Sequence, residues 1–424
     1  MSKKRTVTLI GAISIGVGGM VGGGIFAVLG EAVSLAHGAT ALAFFFSGII
    51  TLLTSYSYAK LSVAFQSEGG TVSFIDNAFG HNLLSGSINL MLWLSYIVTI
   101  SLYSVAFASY GATFFPDATN LTKHLLISFG ILLPAIINLI SASFVSRSES
   151  FIVIFIVIII SSLDYIDTSR FSIQKWGTLS SIVVAGMIIF VAYEGFELIA
   201  NAAEEVINPD KNLPLAFYSS VIFVIILYIL IALVSIGTVP EATLLQAKDY
   251  ALAIAAKPAL GKMGFILVSI AALLATFSAI NATIYGNSRL GYFIAMEGEL
   301  PKVLTHSKNN IPFMSVLSTL LFSLILANSI NIDEIAIIGS SSFLLIFFVV
   351  NISAYRLRER IKAKKYILLL SSFSTFIALF TLLYHTYSSN PKAIYIFISF
   401  IFLSISFEFF YGKFIRGHLF KREY

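Results

Sequence analysis

Apolar runs recur along the whole chain at a length suited to a bilayer. A spanning helix needs about 20 apolar residues. Twelve stretches meet or approach that length: residues 8–35, 40–65, 83–115, 123–143, 150–166, 179–203, 214–238, 262–286, 313–330, 335–356, 366–386 and 392–412. The pattern predicts an all-α membrane protein with twelve transmembrane helices. Two of the twelve are interrupted. In segment 1, Gly16, Gly18, Gly19, Gly22, Gly23 and Gly24 fall within nine positions. Each glycine costs up to about 1 kcal/mol relative to alanine in a helix interior, so the triplet Gly22 to Gly24 predicts unwinding in mid-membrane. Backbone groups freed there cannot face lipid and must line a cavity. A half-helix beginning near Gly24 presents N–H donors and a positive dipole end to an anion such as a carboxylate. Close helix packing is the other use of small residues in a membrane, but it does not call for six glycines ending in a triplet.

The second interruption lies in segment 6, within Phe190 to Asn201, where Gly195 sits between two carboxylates, Glu194 and Glu197. Segments 1 and 6 lie five helices apart. Broken spans at corresponding positions of two halves point to a transporter site built on an inverted repeat. Segments 1–5 (residues 1–166) and 6–10 (residues 167–356) would form the two repeats. Segments 11 and 12 with the tail (residues 357–424) would lie outside that five-plus-five core.

Composition sharpens this reading. Only 11% of the 424 residues are charged and 58% are hydrophobic, whereas soluble domains carry about 25% charged residues. Nineteen of the 26 Lys and Arg residues fall on one side of the predicted topology, including Arg356, Arg358, Arg360, Lys362, Lys364 and Lys365. The positive-inside rule makes that side cytoplasmic and places both termini there. The opening residues lead straight into a full span, which reads as a retained cytoplasmic N-terminus in the cytoplasmic membrane. The net charge of +5 then reflects basic loops in contact with lipid rather than nucleic-acid binding. Cysteine is absent, so disulfides and thiolate metal sites are excluded.

Candidate chemistry centres on the two intramembrane acids. An acid inside a membrane costs at least about 2.5 kcal/mol and is a functional hypothesis by default. Glu194 is placed to face substrate, Glu197 to carry a proton, and both are candidates for proton or ion coupling; the alternative is that one merely hydrogen-bonds freed backbone groups. Tyr96 and Tyr103 on segment 3 are candidate cavity residues in a tyrosine-rich chain. Glu204 and Glu205 read as inner-gate or structural residues, and Pro209 and Pro214 as the start of the next helix. Lys60 and the six histidines show no metal or catalytic pattern, and no cofactor is expected. The chain holds no paired catalytic motif and no nucleotide-binding loop, which argues against an enzyme and against ATP-driven pumping.

These residues resemble the amino acid–polyamine–organocation superfamily of transporters. Gly22, Gly23, Gly24, Ile25 and Phe26 resemble its first-helix signature, and Ser67 to Gly70 with Phe74 and Gly80 its re-entrant loop. Phe190 to Phe196, followed by Glu204 to Pro214, resembles the sixth-helix signature. Asn281 to Pro301, with Arg289 and Glu297 to Pro301, resembles the end of helix 8. Within the superfamily the likeness is to an archaeal broad-specificity, proton-coupled amino acid permease. The resemblance implies the LeuT fold and a midplane site for an amino acid. The substrate carboxylate would meet N–H groups at Gly22, Gly23 and Gly24, next to Ile25. The ammonium would meet carbonyls from Val17 and Gly18 to Met20, and at Phe190, Ala192 and Glu194, with Tyr193, Gly195 and Tyr96 lining the site. Phe196 would be an aromatic gate on the outer side. Thr276 and Ser278 stand at about the level where relatives of this fold coordinate sodium. In the proton-coupled relative a lysine on helix 5 occupies that sodium position. Aligning Arg147 to Glu149 and Phe151 to Val153 places Ile156 there, and residues 151–160 contain no ionisable side chain.

The reading is secondary active transport of amino acids by alternating access, with broad specificity and proton coupling. Sodium-coupled symport or amino acid exchange is the alternative, and a non-transporting amino acid sensor is a third. The partners implied are an amino acid, a proton or sodium ion and the lipid bilayer; oligomeric state is not legible.

Overall fold

The structure is a computed structural model that describes residues 5–67, 69–140, 149–308 and 311–417. Thr8 caps the first helix by accepting the Gly11 N–H, 3.1 Å away. That helix, α1 (Leu9–Val21), stops at Gly22 and Gly23, and α2 (Gly24–Ala36) resumes at an angle of 45°. The glycine triplet thus breaks the span where the sequence predicts. The chain continues through α3 (Thr40–Ala64), a short α4 (Thr71–Phe79), α5 (Leu83–Ala112), α6 (Asn120–Ile140) and α7 (Glu149–Ser162). Next come α8 (Leu179–Ile188), a 3₁₀ stretch over Ile189–Tyr193 and one turn of helix, α9 (Leu198–Asn201). Then follow α10 (Pro209–Thr238), two short helices α11 (Glu241–Gln246) and α12 (Ala251–Ala255), and α13 (Lys257–Met296). Helices α14 (Phe313–Ser329), α15 (Ile332–Arg356), α16 (Lys365–Ser389) and α17 (Pro391–Tyr411) complete it.

By length and composition, nine helical stretches among the described residues are suited to cross a membrane, and the α1–α2 pair makes a tenth. The other two expected segments correspond to the shorter apolar helices α7 and α14. Boundaries differ where local chemistry intervenes. Helix α10 begins at Pro209 rather than near residue 214, because a proline in the first turn lacks only an N–H that would be orphaned anyway. Helix α13 runs on to Met296 and kinks at Gly261, whose φ of 59° only glycine adopts readily. The segment proposed for the helix-5 alignment is only partly visible, since Arg147 and Ser148 lie outside the described residues.

Helix α5 is the axle of the bundle, buried along nearly its whole length. Helices α6, α16 and α17 instead turn large apolar side chains outward, among them Phe129, Phe373, Phe380 and Phe402. In a bilayer such faces meet acyl chains, which removes the penalty they would carry in water.

The two ends of the bundle are tied differently. At one end Thr6 and Val7 donate to the Glu205 carbonyl at 2.9 Å, and Arg5 reaches the Gln66 side chain at 2.8 Å. This end carries the N-terminus, the last turn of α3, and α4. At the other end, Lys248 bridges Glu31 of α2 and Asp333 of α15 at 2.7 and 2.6 Å, while His37 pairs with Glu241 at 2.6 Å. These contacts hold the α11–α12 segment down over α2. Burial pulls the Lys248 pKa down, but its hydrogen bonds to Asp333 and Glu31 outweigh that and hold it above the ordinary lysine value.

Candidate functional site: two crossing backbone breaks

The two interrupted spans meet at their interruptions. A Cβ built on Gly19 would stand 2.7 Å from the Gly195 carbonyl oxygen, and one built on Gly24 would stand 2.7 Å from the Ala192 Cα. Backbones approach this closely only where side chains are absent. Gly195 also takes φ = 113°, a conformation strained for any L residue with a side chain. The glycines on both strands therefore serve contact and conformation together.

Around this crossing, side chains attend to backbone groups that a regular helix would have satisfied. Tyr228 of α10 donates its hydroxyl toward two carbonyls, Met20 at 2.7 Å and Ala192 at 3.1 Å, one from each break. Ser340 of α15 accepts the Val191 N–H at 2.9 Å and donates to the Ile188 carbonyl at 2.5 Å. Glu197 accepts the Gly195 N–H at 2.8 Å through one oxygen and the Tyr96 hydroxyl at 3.0 Å through the other. Glu194 accepts the Tyr103 hydroxyl at 3.1 Å. Tyr193 turns away and donates to the Phe44 carbonyl at 2.8 Å. At the start of α2, the first N–H groups have no partner within the helix. The crossing thus juxtaposes a helix N-terminus, carbonyls of both breaks and two buried carboxylates.

Of the residues named from sequence, Val17, Met20, Ile25, Tyr96, Phe190, Ala192, Glu194 and Glu197 are all at most 5% exposed and lie at or beside the crossing. Gly18 is half-buried, and its carbonyl accepts the Gly22 N–H at 3.1 Å, closing the last turn of α1. The Met20 and Ala192 carbonyls, expected to face a substrate ammonium, already accept from Tyr228.

Two expected placements are corrected, those of Phe196 and Ile156. On the expected topology Phe196 falls on the inner rather than the outer side of the break. Its ring sits between Tyr58, Phe217 and Phe347, at centroid distances of 5.2, 6.3 and 5.3 Å. Tyr58 bonds Thr71 at the start of α4, so this cluster lies toward the end carrying the N-terminus. The chain has passed the break by Gly195, which sends Phe196 into that half. Ile156 is 44% exposed and turned off the bundle, while Phe155 and Ile158 face inward; the inner face of α7 is apolar, but Ile156 is not on it. Thr276 donates to the Ala272 carbonyl one turn back, at 2.6 Å, which leaves the lone pairs of its hydroxyl oxygen free to accept. Ser278 is half-buried on the same helix.

Sequence reasoning passed over Tyr228 and Ser340, for which the sequence holds no signal. Tyr103, named from sequence together with Tyr96, lies seven residues from it on the same helix face.

A bundle of apolar spans with two broken helices crossing at its centre defines a membrane transport protein. The chain belongs to the amino acid permease family, whose model matches residues 7–409. It is 33% identical to the uncharacterized protein MJ0609 of Methanocaldococcus jannaschii, over 97% of this chain and 96% of that one. It is 30% identical to the inner membrane transport protein YbaT of Escherichia coli, over 95% of each. It is 26% identical to the methylthioribose transporter of Bacillus subtilis, over 85% of this chain and 82% of that one.

Proposed function

We propose that this protein carries amino acids across the cytoplasmic membrane by secondary active transport. The observation that supports this most is the crossing of the two backbone breaks at Gly19 to Gly24 and Ala192 to Gly195. A zwitterion needs donors and acceptors on opposite sides of a small space, and opposed half-helices supply both. In this reading the α2 N-terminus at Gly23 and Gly24 holds the carboxylate, and carbonyls of both breaks, with Glu194, hold the ammonium. Twelve spans in two inverted repeats, residues 1–166 and 167–356, with residues 357–424 outside them, would give alternating access, with both termini cytoplasmic.

Proton coupling is the first reading, because Glu197 is buried against both Gly195 and Tyr96, so its charge state is felt directly by the broken backbone. Protonating Glu197 would weaken its hold on the Gly195 N–H. Sodium coupling or exchange is the second reading, favoured by the apolar stretch 151–160. Broad specificity would follow from a pocket framed by glycine rather than by side chains.

The test is uptake of a radiolabelled amino acid mixture into proteoliposomes under an inward proton gradient, an inward sodium gradient, or internal preloading alone. Proton-driven accumulation is expected. Accumulation only with sodium, or uptake only with preloading, would replace the coupling assignment. Binding without uptake under all three would replace transport with sensing.

A further inference from the structure

Away from the crossing, at the end of the bundle that carries the N-terminus, three ligand-bearing side chains converge from distant parts of the chain. Asp76, His81 and Glu299 each offer one ligand atom within 4.8 Å of the other two. The arrangement is produced at two helix ends, each with a glycine of positive φ at or just past its cap. Helix α4 stops at Gly80, with φ = 76° and its N–H on the Asp76 carbonyl at 2.8 Å. Helix α13 ends at Met296, Gly298 follows its cap with φ = 75°, and the Glu299 N–H returns to the Ile294 carbonyl at 3.0 Å. Such glycine caps reverse the chain over the last helical turn. One therefore delivers His81 back over Asp76, with Nδ1 3.7 Å from Oδ2, and the other delivers Glu299 into the same space.

The floor of this space is Asn89 on α5, which is fully buried. Its amide nitrogen lies 3.1 Å from Asp76 Oδ1 and 2.9 Å from Glu299 Oε2. Two carboxylates, one 13 residues before Asn89 and one 210 residues after it, thus close on one positive pole. The Asn89 Oδ1 is buried with no hydrogen-bond partner among the described residues. Rotating the amide would bring that oxygen to face the carboxylates, an arrangement that is repulsive without a cation and coordinating with one. The His81 side chain is 27% exposed, so the space opens on one side.

We infer that Asp76, His81 and Glu299, with the Asn89 amide oxygen as a fourth ligand, form a binding site for a divalent transition cation of the zinc or manganese kind. One imidazole and two carboxylates suit such ions better than magnesium or calcium, which prefer all-oxygen sets. The ion would tie α4 and the end of α13 to α5. The histidines carry no recognisable spacing because the third ligand is supplied from the far end of α13.

The test uses the full chain in lipid nanodiscs, stripped with chelator, free of any histidine tag and titrated calorimetrically with zinc chloride and then with manganese chloride. One equivalent of at least one ion is expected to bind. His81→Ala, on an open loop, should weaken binding at least about tenfold, as loss of a ligand does, and Glu299→Gln should act likewise. His385→Ala, on α16, should bind as wild type. Absence of binding by wild type to either ion would overturn the site, as would wild-type binding by His81→Ala. These readouts do not involve uptake, so they stand or fall separately from the transport reading.

Discussion

Gly23 lies directly against the ring of Tyr103: a Cβ on Gly23 would stand 2.2 Å from Cδ1 and 2.4 Å from Cε1. Tyr103 is buried and bonded to Glu194, so its ring is held from both sides. The ring covers the N-terminal turn of α2 that the proposed function assigns to the substrate carboxylate. Gly23→Ala is expected to reduce uptake at least about tenfold, because displacing a packed ring by overpacking costs about 1–3 kcal/mol. Adding Tyr103→Ala should recover part of the loss. A double variant no better than the single one would show that the ring is not what the methyl group meets.

Tyr228 joins the two breaks through one hydroxyl. Tyr228→Phe keeps the ring but leaves the Met20 and Ala192 carbonyls without that donor. Leaving a buried acceptor unsatisfied costs about 1–3 kcal/mol. The variant should insert normally, unfold at a lower temperature and bind substrate more weakly, which thermal unfolding and ligand titration in detergent would measure. An unchanged melting temperature would mean that water takes over both carbonyls.

Gly195 combines φ = 113° with a Cβ position 2.4 Å from the Gly19 carbonyl carbon. The strain alone is of order 1–3 kcal/mol, and backbone on the other side cannot rotate away as a side chain would. Gly195→Ala should therefore give poorly folded protein, seen as loss of the monodisperse peak in size-exclusion chromatography. Gly286→Ala, where a Cβ meets nothing within 4 Å, serves as the tolerant control.

Glu197 is the acid tied to the broken backbone at Gly195. If it carries the proton, Glu197→Gln should flatten the pH dependence of uptake while substrate exchange persists. A pH profile identical to wild type would remove Glu197 from coupling and leave Glu194 as the candidate.

Lys248 closes the opposite end by bridging Glu31 and Asp333. Lys248→Met should lower stability by roughly 1 kcal/mol, a figure kept small because the pair is partly solvent-screened. Its pKa is raised in the folded state, so its contribution is complete below the ordinary lysine value and is lost only as pH climbs past the raised one. The difference in melting temperature between wild type and variant should thus stay constant from neutral to mildly alkaline pH and shrink in strongly alkaline solution. A difference that vanished already near neutrality would assign it to another group.

The sequence by itself determined which stretches are apolar enough to cross a membrane and where two of them cannot stay helical. Hydropathy and glycine spacing are local properties, and they placed the break between Val21 and Gly24 and the second around Glu194 to Glu197 without reference to any partner. Resemblance carried the family, because those same glycines and acids are short contiguous motifs. Tertiary structure alone decided what stands across each break. Tyr228 reaches Met20 over 208 positions of sequence, and no periodicity announces a contact of that range. It also decided facing, since Phe196 turns toward Tyr58 and Ile156 turns off the bundle through packing of helices distant in sequence. Backbone preference is written in neighbouring residues, whereas the direction of a side chain in a bundle is fixed by which helices surround it. The same reason hid the convergence of Asp76, His81 and Glu299, which exists only once two glycine-capped helix ends are brought to one face of α5.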